Sequence, residues 1–263
     1  MVTVLLAVGS GTLIGLVLGL IGGGGSILAV PLLVYAVGVS SPHVAIGTAA
    51  FAVAVNAAAS LGLHARRAPV RWPCALVFSA AGVGGALAGA ALGKMVDGQK
   101  LLILFGLLMI VVGLSMLRPR RARAAPSPWL SAATARHLLP RLAVLGAAVG
   151  ILSGFFGIGG GFLIVPGLIL AADMDLPEAA SASLVAVTAF GIASASSYAW
   201  SGMIDWPVAG LLIAGGAVGA VVGAKANARL ARQKGVLAGI FAWFVMGAGV
   251  YVGVRGALAV WGA

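Results

Sequence analysis

Charged residues are scarce in this sequence of 263 residues. Only 8% of the residues are charged, against roughly 25% in typical soluble domains. A soluble globule needs a polar exterior, and so few charges do not supply one. With 62% hydrophobic residues, the composition excludes a soluble enzyme, a secreted domain and a disordered protein. It predicts an all-α polytopic membrane protein.

Cysteine and acidic residues are few, with one cysteine and five Asp and Glu in total. Cys74 is the only cysteine, which excludes an internal disulfide and a Cys-cluster metal site. The carboxylates all fall in or beside predicted loops: Asp97, Asp173, Asp175, Glu178 and Asp205. Because no predicted span carries Asp or Glu near its centre, we expect no carboxylate proton relay. The spacing joins no nucleophile to a base, so we predict no enzyme activity, cofactor or metal site.

Hydrophobic runs divide the chain into membrane segments, each of which needs about 20 apolar residues to span. The runs are Val2–Ile21, Ile27–Val39, Val44–Leu63, Pro73–Leu92, Leu101–Leu117, Leu142–Phe156, Phe162–Ala172, Ala179–Trp200, Pro207–Ala228 and Val236–Val254. Ile27–Val39 and Phe162–Ala172 are too short to span, and each follows a glycine cluster that weakens helical structure. We therefore predict roughly eight to ten membrane segments, with two breaks inside the membrane.

The second half of the sequence repeats the first. One constant offset pairs glycines and prolines: Gly15 with Gly150, Gly19 with Gly154, Gly24 with Gly159, Pro31 with Pro166 and Pro42 with Pro177. After a one-residue deletion, a slightly shorter offset pairs later positions: Trp72-Pro73 with Trp206-Pro207, Gly82 with Gly216 and Lys100 with Lys234. The matched prolines and the matched Trp-Pro indicate a tandem duplication. The predicted repeats are residues 1–117 and 142–263, joined by a basic linker at 118–141.

Loop charge predicts how the two repeats are oriented. We assign the net charge of +11 to cytoplasmic loops, not to nucleic-acid binding. The arginine-rich linker is then cytoplasmic, and loop 64–72 carries three arginines whereas its equivalent, 200–206, carries only Asp205. Equivalent loops therefore face opposite sides, and we predict inverted repeats, each with three long spans and one Gly-broken pair. This orientation places the acidic loop 172–178 on the cytoplasmic side. Acidic residues contribute little to the positive-inside rule, so the loop does not change the prediction.

The two glycine clusters are the strongest functional signal. Unwound backbone at membrane depth is tolerated only where it is buried in protein or lines a cavity. Broken helices in inverted repeats place binding sites near the midplane, and each restarting helix offers free N–H groups and a positive dipole end. The predicted anion site comprises Gly22, Gly23, Gly24, Gly25, Ser26, Gly157, Gly159, Gly160 and Gly161, with Pro31 and Pro166 supporting the breaks. The alternative is that these glycines serve only close helix packing.

Polar side chains within the predicted spans complete the candidate site. Hydroxyl and amide groups can replace the water around an oxyanion, or can hydrogen-bond a neighbouring helix instead. The candidates are Thr48, Asn56, Ser183 and Thr188, and Thr48 and Ser183 are paired as repeat equivalents. Asn56 is the strongest because an amide is costlier to bury than a hydroxyl. His64, at a span end, is a candidate titratable group.

The glycine-rich breaks before Pro31 and Pro166, together with Trp-Pro after a short polar loop, resemble the TauE/SafE sulfite exporter family. The resemblance covers residues 1–117 and 142–254. It implies a transporter of sulfite, sulfonates or related organosulfur and carboxylate anions in the bacterial inner membrane. The family's members differ in substrate, so the resemblance leaves the anion open.

Without a carboxylate relay, we expect electrogenic anion export, or facilitated diffusion, by alternating access of the two repeats. With the inside negative, each negative charge that leaves gains about 2.3 kcal/mol per 100 mV. The expected partners are a small anion and the lipid bilayer, and not nucleic acid. Two alternatives stay open: a membrane assembly or scaffold protein, and a channel for a small neutral solute.

Overall fold

All regular structure in the described part of the chain is helical. The computed structural model describes residues 2–21, 23–64, 70–117, 132–157, 159, 161–229 and 234–261. The first helix, α1, is Val2–Ile21, and a composite helix, α2, begins as a 3₁₀ turn at Gly23–Leu28, continues through Ala29–Pro31 and ends as a π-helix at Leu32–Val37. The others are α3 Pro42–His64, α4 Trp72–Met95, α5 Gly98–Leu117, α6 Ala132–Phe156, α7 Gly161–Ala172, α8 Leu176–Trp200, α9 Trp206–Arg229 and α10 Lys234–Trp261.

Eight of these helices are long and apolar enough to cross a membrane, and α2 and α7 are the two short ones. The prediction of an all-α polytopic membrane protein is thereby confirmed. One boundary differs: α6 begins at Ala132, so the last ten residues of the predicted linker are helical. Basic residues at Arg136 and Arg141 end the apolar run without ending the helix. Residues 118–131 of the linker lie outside the described part.

The main helix contacts join the two halves of the sequence. α1 packs along α9, α4 along α6, α3 along α8, and α5 along α10. Exchanging each helix for its repeat equivalent (α1 for α6, α3 for α8, α4 for α9, α5 for α10) returns the same set of pairs. The two halves therefore contribute to the bundle in equivalent ways.

Glycine contacts define the relative directions of these helices. Gly11 approaches Leu212 and Gly19 approaches Ala220, so α1 and α9 run parallel; α4 and α6 are parallel in the same way. In contrast, the predicted repeat equivalents α3 and α8 run antiparallel. Gly47, near the start of α3, lies against Tyr198, near the end of α8. Ala54, later in α3, lies against Gly191, earlier in α8. α5 and α10 are antiparallel as well. Equivalent helices in contact thus point in opposite directions.

Close backbone packing at these contacts gives a testable contrast within α4 and α6. A Cβ at Gly154 would fall on the carbonyl oxygen of Ala86, whereas a Cβ at Gly84 would meet no described heavy atom within 4 Å. We expect Gly154→Ala to lower stability by about 2 kcal/mol, because the helices must separate. Gly84→Ala should raise stability by about 0.5–1 kcal/mol, since alanine is the better helix former. Thermal unfolding in detergent measures both, and shifts of the same sign would contradict the packing.

Candidate functional site

The second break places non-helical backbone between α3 and α8, the two most buried spans. Gly157 (φ +61°) and Gly159 (φ +64°) are buried and adopt the left-handed backbone region that favours glycine. A Cβ at Gly157 would fall on the side chain of Ile46. A Cβ at Gly159 would lie 3.3 Å from Val53 Cγ1 and 3.4 Å from Val187 Cγ1. The two central helices therefore hold this segment from both sides.

Gly159 lies near half-depth in the bundle. Val53 is eleven residues beyond the start of α3, and Val187 is eleven residues beyond the start of α8. At 1.5 Å per residue each is about 16 Å from its helix start, roughly half the thickness of a bilayer core. α3 and α8 are antiparallel, so their first residues lie at opposite ends of the bundle. Gly159 is therefore about equally far from both ends and lies near the middle of the bundle. α7 begins two residues later, at Gly161, so its free N–H groups start at this depth.

The first break folds back on α1 and reaches the second half. A Cβ at Gly25 would lie 2.6 Å from the carbonyl oxygen of Ile14 and 2.6 Å from the backbone nitrogen of Leu18. Ser26, beside it, is fully buried. The 3₁₀ turn that opens α2 also contacts α7. The structure thus brings together the two broken segments, one from each half.

The remaining glycine and proline predictions fall on or beside these segments. Gly23 and Gly24 lie in the opening turn of α2, and Gly161 is the first residue of α7. Pro31 is buried within α2, and Pro166 lies inside α7. Gly22, Gly160 and the side chain of His64 are outside the described residues.

Asn56 is buried, with an exposed fraction of 2%. Its Nδ2 donates a hydrogen bond to the carbonyl oxygen of Leu212 in α9, at 3.4 Å. Its Oδ1 is buried without a hydrogen-bond partner among the described residues. Leaving such a group unpaired costs about 1–3 kcal/mol. Asn56 is one turn beyond Val53 on α3, and its amide faces α9, where it contacts Leu212 and Gly216.

Asn56 and Phe190 occupy equivalent positions in the two halves. Asn56 packs on Gly216 of α9, and Phe190 packs on Gly82 of α4. These two glycines are themselves partners in the sequence repeat, and the offset between them is the same as that between Asn56 and Phe190. One half therefore presents an amide where the other presents an aromatic ring, which makes the centre of the molecule chemically asymmetric.

The contacts of Asn56 and Phe190 favour the shorter of the two repeat offsets on α3 and α8. That offset also pairs the first residues of the two helices, Pro42 and Leu176. The predicted pairing of Thr48 with Ser183 uses the longer offset, which pairs Pro42 with Pro177, and it stays a prediction.

The predicted hydroxyl candidates make hydrogen bonds within the protein. Thr48 Oγ1 accepts a hydrogen bond from the backbone N–H of Asp205 at 2.9 Å, at the start of α9. Ser183 and Thr188 donate to carbonyl oxygens one turn earlier in α8, at 2.7 Å and 2.8 Å. Hydroxyls in membrane helices commonly donate to carbonyl oxygens of the preceding turn, and the hydroxyl hydrogens of Ser183 and Thr188 are then not available to a ligand. A contribution of these three residues to anion binding stays a prediction.

Two buried serines were not singled out by the sequence reasoning. Ser153 and Ser194 are fully buried, and their hydroxyl oxygens have no hydrogen-bond partner among the described residues. Ser153 precedes Gly157 by one helical turn, and Ser194 follows Val187 by two turns on the same face of α8. The absence of a described partner distinguishes them from Ser183, and only Ser153 has a position in the sequence, one turn before Gly157, that could have identified it.

Polar links tie the two halves at both ends of the bundle. Arg71 Nε lies 3.0 Å from Glu178 Oε2, and a second guanidinium nitrogen donates to Oε1 at 3.2 Å. This pair joins loop 64–72 to the first turn of α8, and it gives Glu178 of the predicted acidic loop a basic partner. At the other end, Lys94 Nζ donates to Ser197 O at 3.1 Å and to Ser201 Oγ at 3.0 Å.

Comparison with known proteins agrees with this architecture. The family model described as "Sulfite exporter TauE/SafE" matches residues 7–252. A "Probable membrane transporter protein" of Xylella fastidiosa (strain Temecula1) is 44% identical over 250 residues, covering 95% of each chain. The "Probable membrane transporter protein YunE" of Bacillus subtilis is 28% identical over 237 residues, covering 84% of this chain and 87% of that one. The comparison with solved structures gives no match.

The helical bundle, its eight candidate spans and these relatives define a multi-pass membrane transporter. The chain belongs to the TauE/SafE sulfite exporter family. The resemblance noted in the glycine-rich breaks and the Trp-Pro is confirmed.

Proposed function

We propose that the protein transports small anions through a site where its two broken helices meet. The observation that carries the proposal is Gly159, buried near half-depth at the start of α7 and flanked by Val53 and Val187. Backbone N–H groups at a helix start bind anions, because they are unpaired donors at the positive end of the helix dipole. The surrounding protein excludes water, which strengthens that attraction.

The substrate class that we propose is sulfite, sulfonates and related organosulfur oxyanions. The name of the family supports sulfite as the first anion to test. Oxyanions present several acceptor oxygens, which match a cluster of backbone N–H groups and the buried hydroxyl of Ser153, one turn before Gly157. We also propose that the carrier lies in the bacterial inner membrane, with the 118–141 linker in the cytoplasm.

Alternating access of two inverted repeats is the mechanism that we propose. It is supported by the antiparallel contact of the equivalent helices α3 and α8, and of α5 and α10. The Arg71–Glu178 pair at one end and the Lys94 hydrogen bonds at the other are links that must break when each end opens. Rocking of one repeat against the other exposes a fixed central site to each side in turn.

Electrogenic export follows from where the carboxylates lie. Asp97 accepts hydrogen bonds at the start of α5, Asp205 does so at the start of α9, and Glu178 is paired with Arg71. Asp173 and Asp175 lie between α7 and α8. We propose that net anion efflux is driven by the membrane potential, which favours export by about 2.3 kcal/mol per charge at 100 mV.

Anion-dependent thermal stabilisation of the purified protein tests the proposed substrate class. A ligand that binds the native state raises its stability by about 2.7 kcal/mol at a concentration of 100 Kd. The panel is sulfite, sulfate, thiosulfate, sulfoacetate, acetate and chloride. We expect sulfite or a sulfonate to stabilise the protein at the lowest concentration. A folded protein that responds to none of these anions would contradict the proposed function.

Cysteine labelling tests the proposed orientation. Ser201 is exposed at the end of the bundle that carries Lys94, and Val70 lies beside Arg71 at the opposite end. In a Cys74→Ser background, we expect Ser201→Cys to react with an impermeant maleimide in intact cells. We expect Val70→Cys to react only after the membrane is opened. The reverse pattern would contradict a cytoplasmic linker. Labelling of both sites from outside would contradict the placement of Ser201 and Val70 on opposite sides of the membrane.

A further inference from the structure

An apolar groove of about 220 Å³ lies between α2 and α10. Its wall is formed by aliphatic and aromatic side chains, and Leu28 and Pro31 of α2 form its buried part. Leu13 and Phe244 are 38% and 51% exposed, so the groove opens sideways on the surface of the bundle. In a membrane protein that surface faces lipid.

One end of the groove is polar. Tyr35 and Tyr251 line it and meet edge to face, with ring centroids 5.2 Å apart. The guanidinium carbon of Arg255 lies 5.9 Å from the centre of the Tyr251 ring. Arg255 is exposed, and it forms no ion pair with any described residue. Tyrosine rings with a neighbouring arginine are the side chains typical of the headgroup level of a membrane.

Arg255 is the only charged residue in the span Ala242–Ala259. An unpaired guanidinium on the lipid-facing side of a span is unfavourable unless it reaches the headgroup region or an anionic group. It lies six residues, or about 9 Å, from the end of α10, within reach of the headgroup region by an extended arginine side chain. A free anion gains little from the apolar walls beside it, whereas a lipid gains from both parts.

We propose that this groove binds one phospholipid, with its phosphate on Arg255 and an acyl chain along α2 and α10. The tyrosine hydroxyls at the rim supply further hydrogen bonds to the headgroup. Because Leu28 ends the opening 3₁₀ turn of α2, the bound chain packs directly on the segment that forms the first break. The lipid is thus a structural partner of the broken helix and is distinct from the transported anion.

Native mass spectrometry with phosphatidylglycerol tests the site. We expect the wild type to retain one phosphatidylglycerol per chain. Diacylglycerol, which lacks the phosphate, and inorganic phosphate, which lacks the chain, should each bind far more weakly. Arg255→Gln should weaken phosphatidylglycerol binding about five-fold, the effect of one basic residue at an anionic surface, and Arg255→Lys should restore most of it. Arg141→Gln, an exposed arginine on α6, is the charge control and should bind like the wild type.

Filling the groove tests the acyl-chain half independently of Arg255. Ala248→Trp should abolish phosphatidylglycerol retention, because Ala248 lines the groove. Val250→Trp, on the exposed side of the same helix, is the matched control and should retain the lipid. Retention by both tryptophan variants would overturn the proposal, as would binding of inorganic phosphate as tight as that of the lipid. Because Arg255 is untouched in this pair, the result stands even where Arg255→Gln fails to fold.

Discussion

Replacing Gly159 with valine is expected to abolish anion binding in a protein that still folds. The φ of +64° is strained for valine, at a cost of about 1–3 kcal/mol. A Cβ there would already lie 3.3 Å from Val53, and the two further methyl groups would push the segment away from α3 and α8. The N–H groups that open α7 then lose their arrangement. Loss of two charge-assisted hydrogen bonds, each about 1.5–3 kcal/mol, lowers affinity by about 100-fold or more.

Gly202 offers a matched control for the backbone strain. It also has a positive φ, +67°, but it lies in the exposed turn after α8, with no described heavy atom within 4 Å of an added Cβ. Gly202→Val should lose a similar amount of stability and keep full anion binding, measured by ligand-dependent thermal shift. Equal loss of binding in both variants would assign the effect to general destabilisation. Unchanged anion binding in Gly159→Val would show that the second break is not part of the binding site.

Asn56→Leu is expected to weaken anion binding about ten-fold while leaving the free protein as stable as before or more so. Leucine has nearly the shape of asparagine, and it removes an Oδ1 that is buried without a described partner. Replacing an incompletely paired polar group with an apolar one of the same shape is often neutral or stabilising. We expect binding to weaken nevertheless, because Asn56 is a buried, incompletely paired polar side chain at the position where the other half has Phe190.

Phe190→Leu at the equivalent position of the second half supplies the comparison. It leaves a partial cavity beside Gly82 and should destabilise the protein by about 1–2 kcal/mol, with unchanged anion affinity. Thermal unfolding with and without the best anion from the panel measures both quantities for both variants. If Asn56→Leu destabilises the protein and binds normally, the hydrogen bond to Leu212 is the residue's role. That outcome would contradict our assignment of Asn56 to the site.

Much of the fold was predictable from the sequence because a bilayer imposes strong composition rules. Apolar runs long enough to span gave eight helices, and glycine clusters before two short runs predicted the breaks now seen at α2 and α7. The sequence predicts a duplication because Pro31 and Pro166 recur at matching distances from the glycines. The start of α6 was missed, because Arg136 and Arg141 interrupt hydropathy while leaving helical geometry intact.

The site was predictable only in outline. Spacing along one helix does not reveal which helix lies opposite, so the match between Asn56 and Phe190 required their contacts with Gly216 and Gly82. The pairing of Arg71 with Glu178, far away in the sequence, likewise depends on how the halves pack. All serines look alike in the sequence, and only the hydrogen bonds of the structure separate Ser153 and Ser194 from Ser183, which donates to a carbonyl oxygen of its own helix.

Anion efflux from proteoliposomes under an imposed membrane potential tests the central claim most directly. Vesicles loaded with sulfite, or with the anion that stabilises the protein best, are compared in wild-type and Gly159→Val forms, with Gly202→Val beside them. We predict efflux that saturates with concentration, increases with potential in the absence of a pH gradient, and is lost in Gly159→Val alone. Efflux that requires a pH gradient and ignores the potential would contradict the electrogenic mechanism. Efflux that is equal in all three proteins would contradict a binding site at the broken helices.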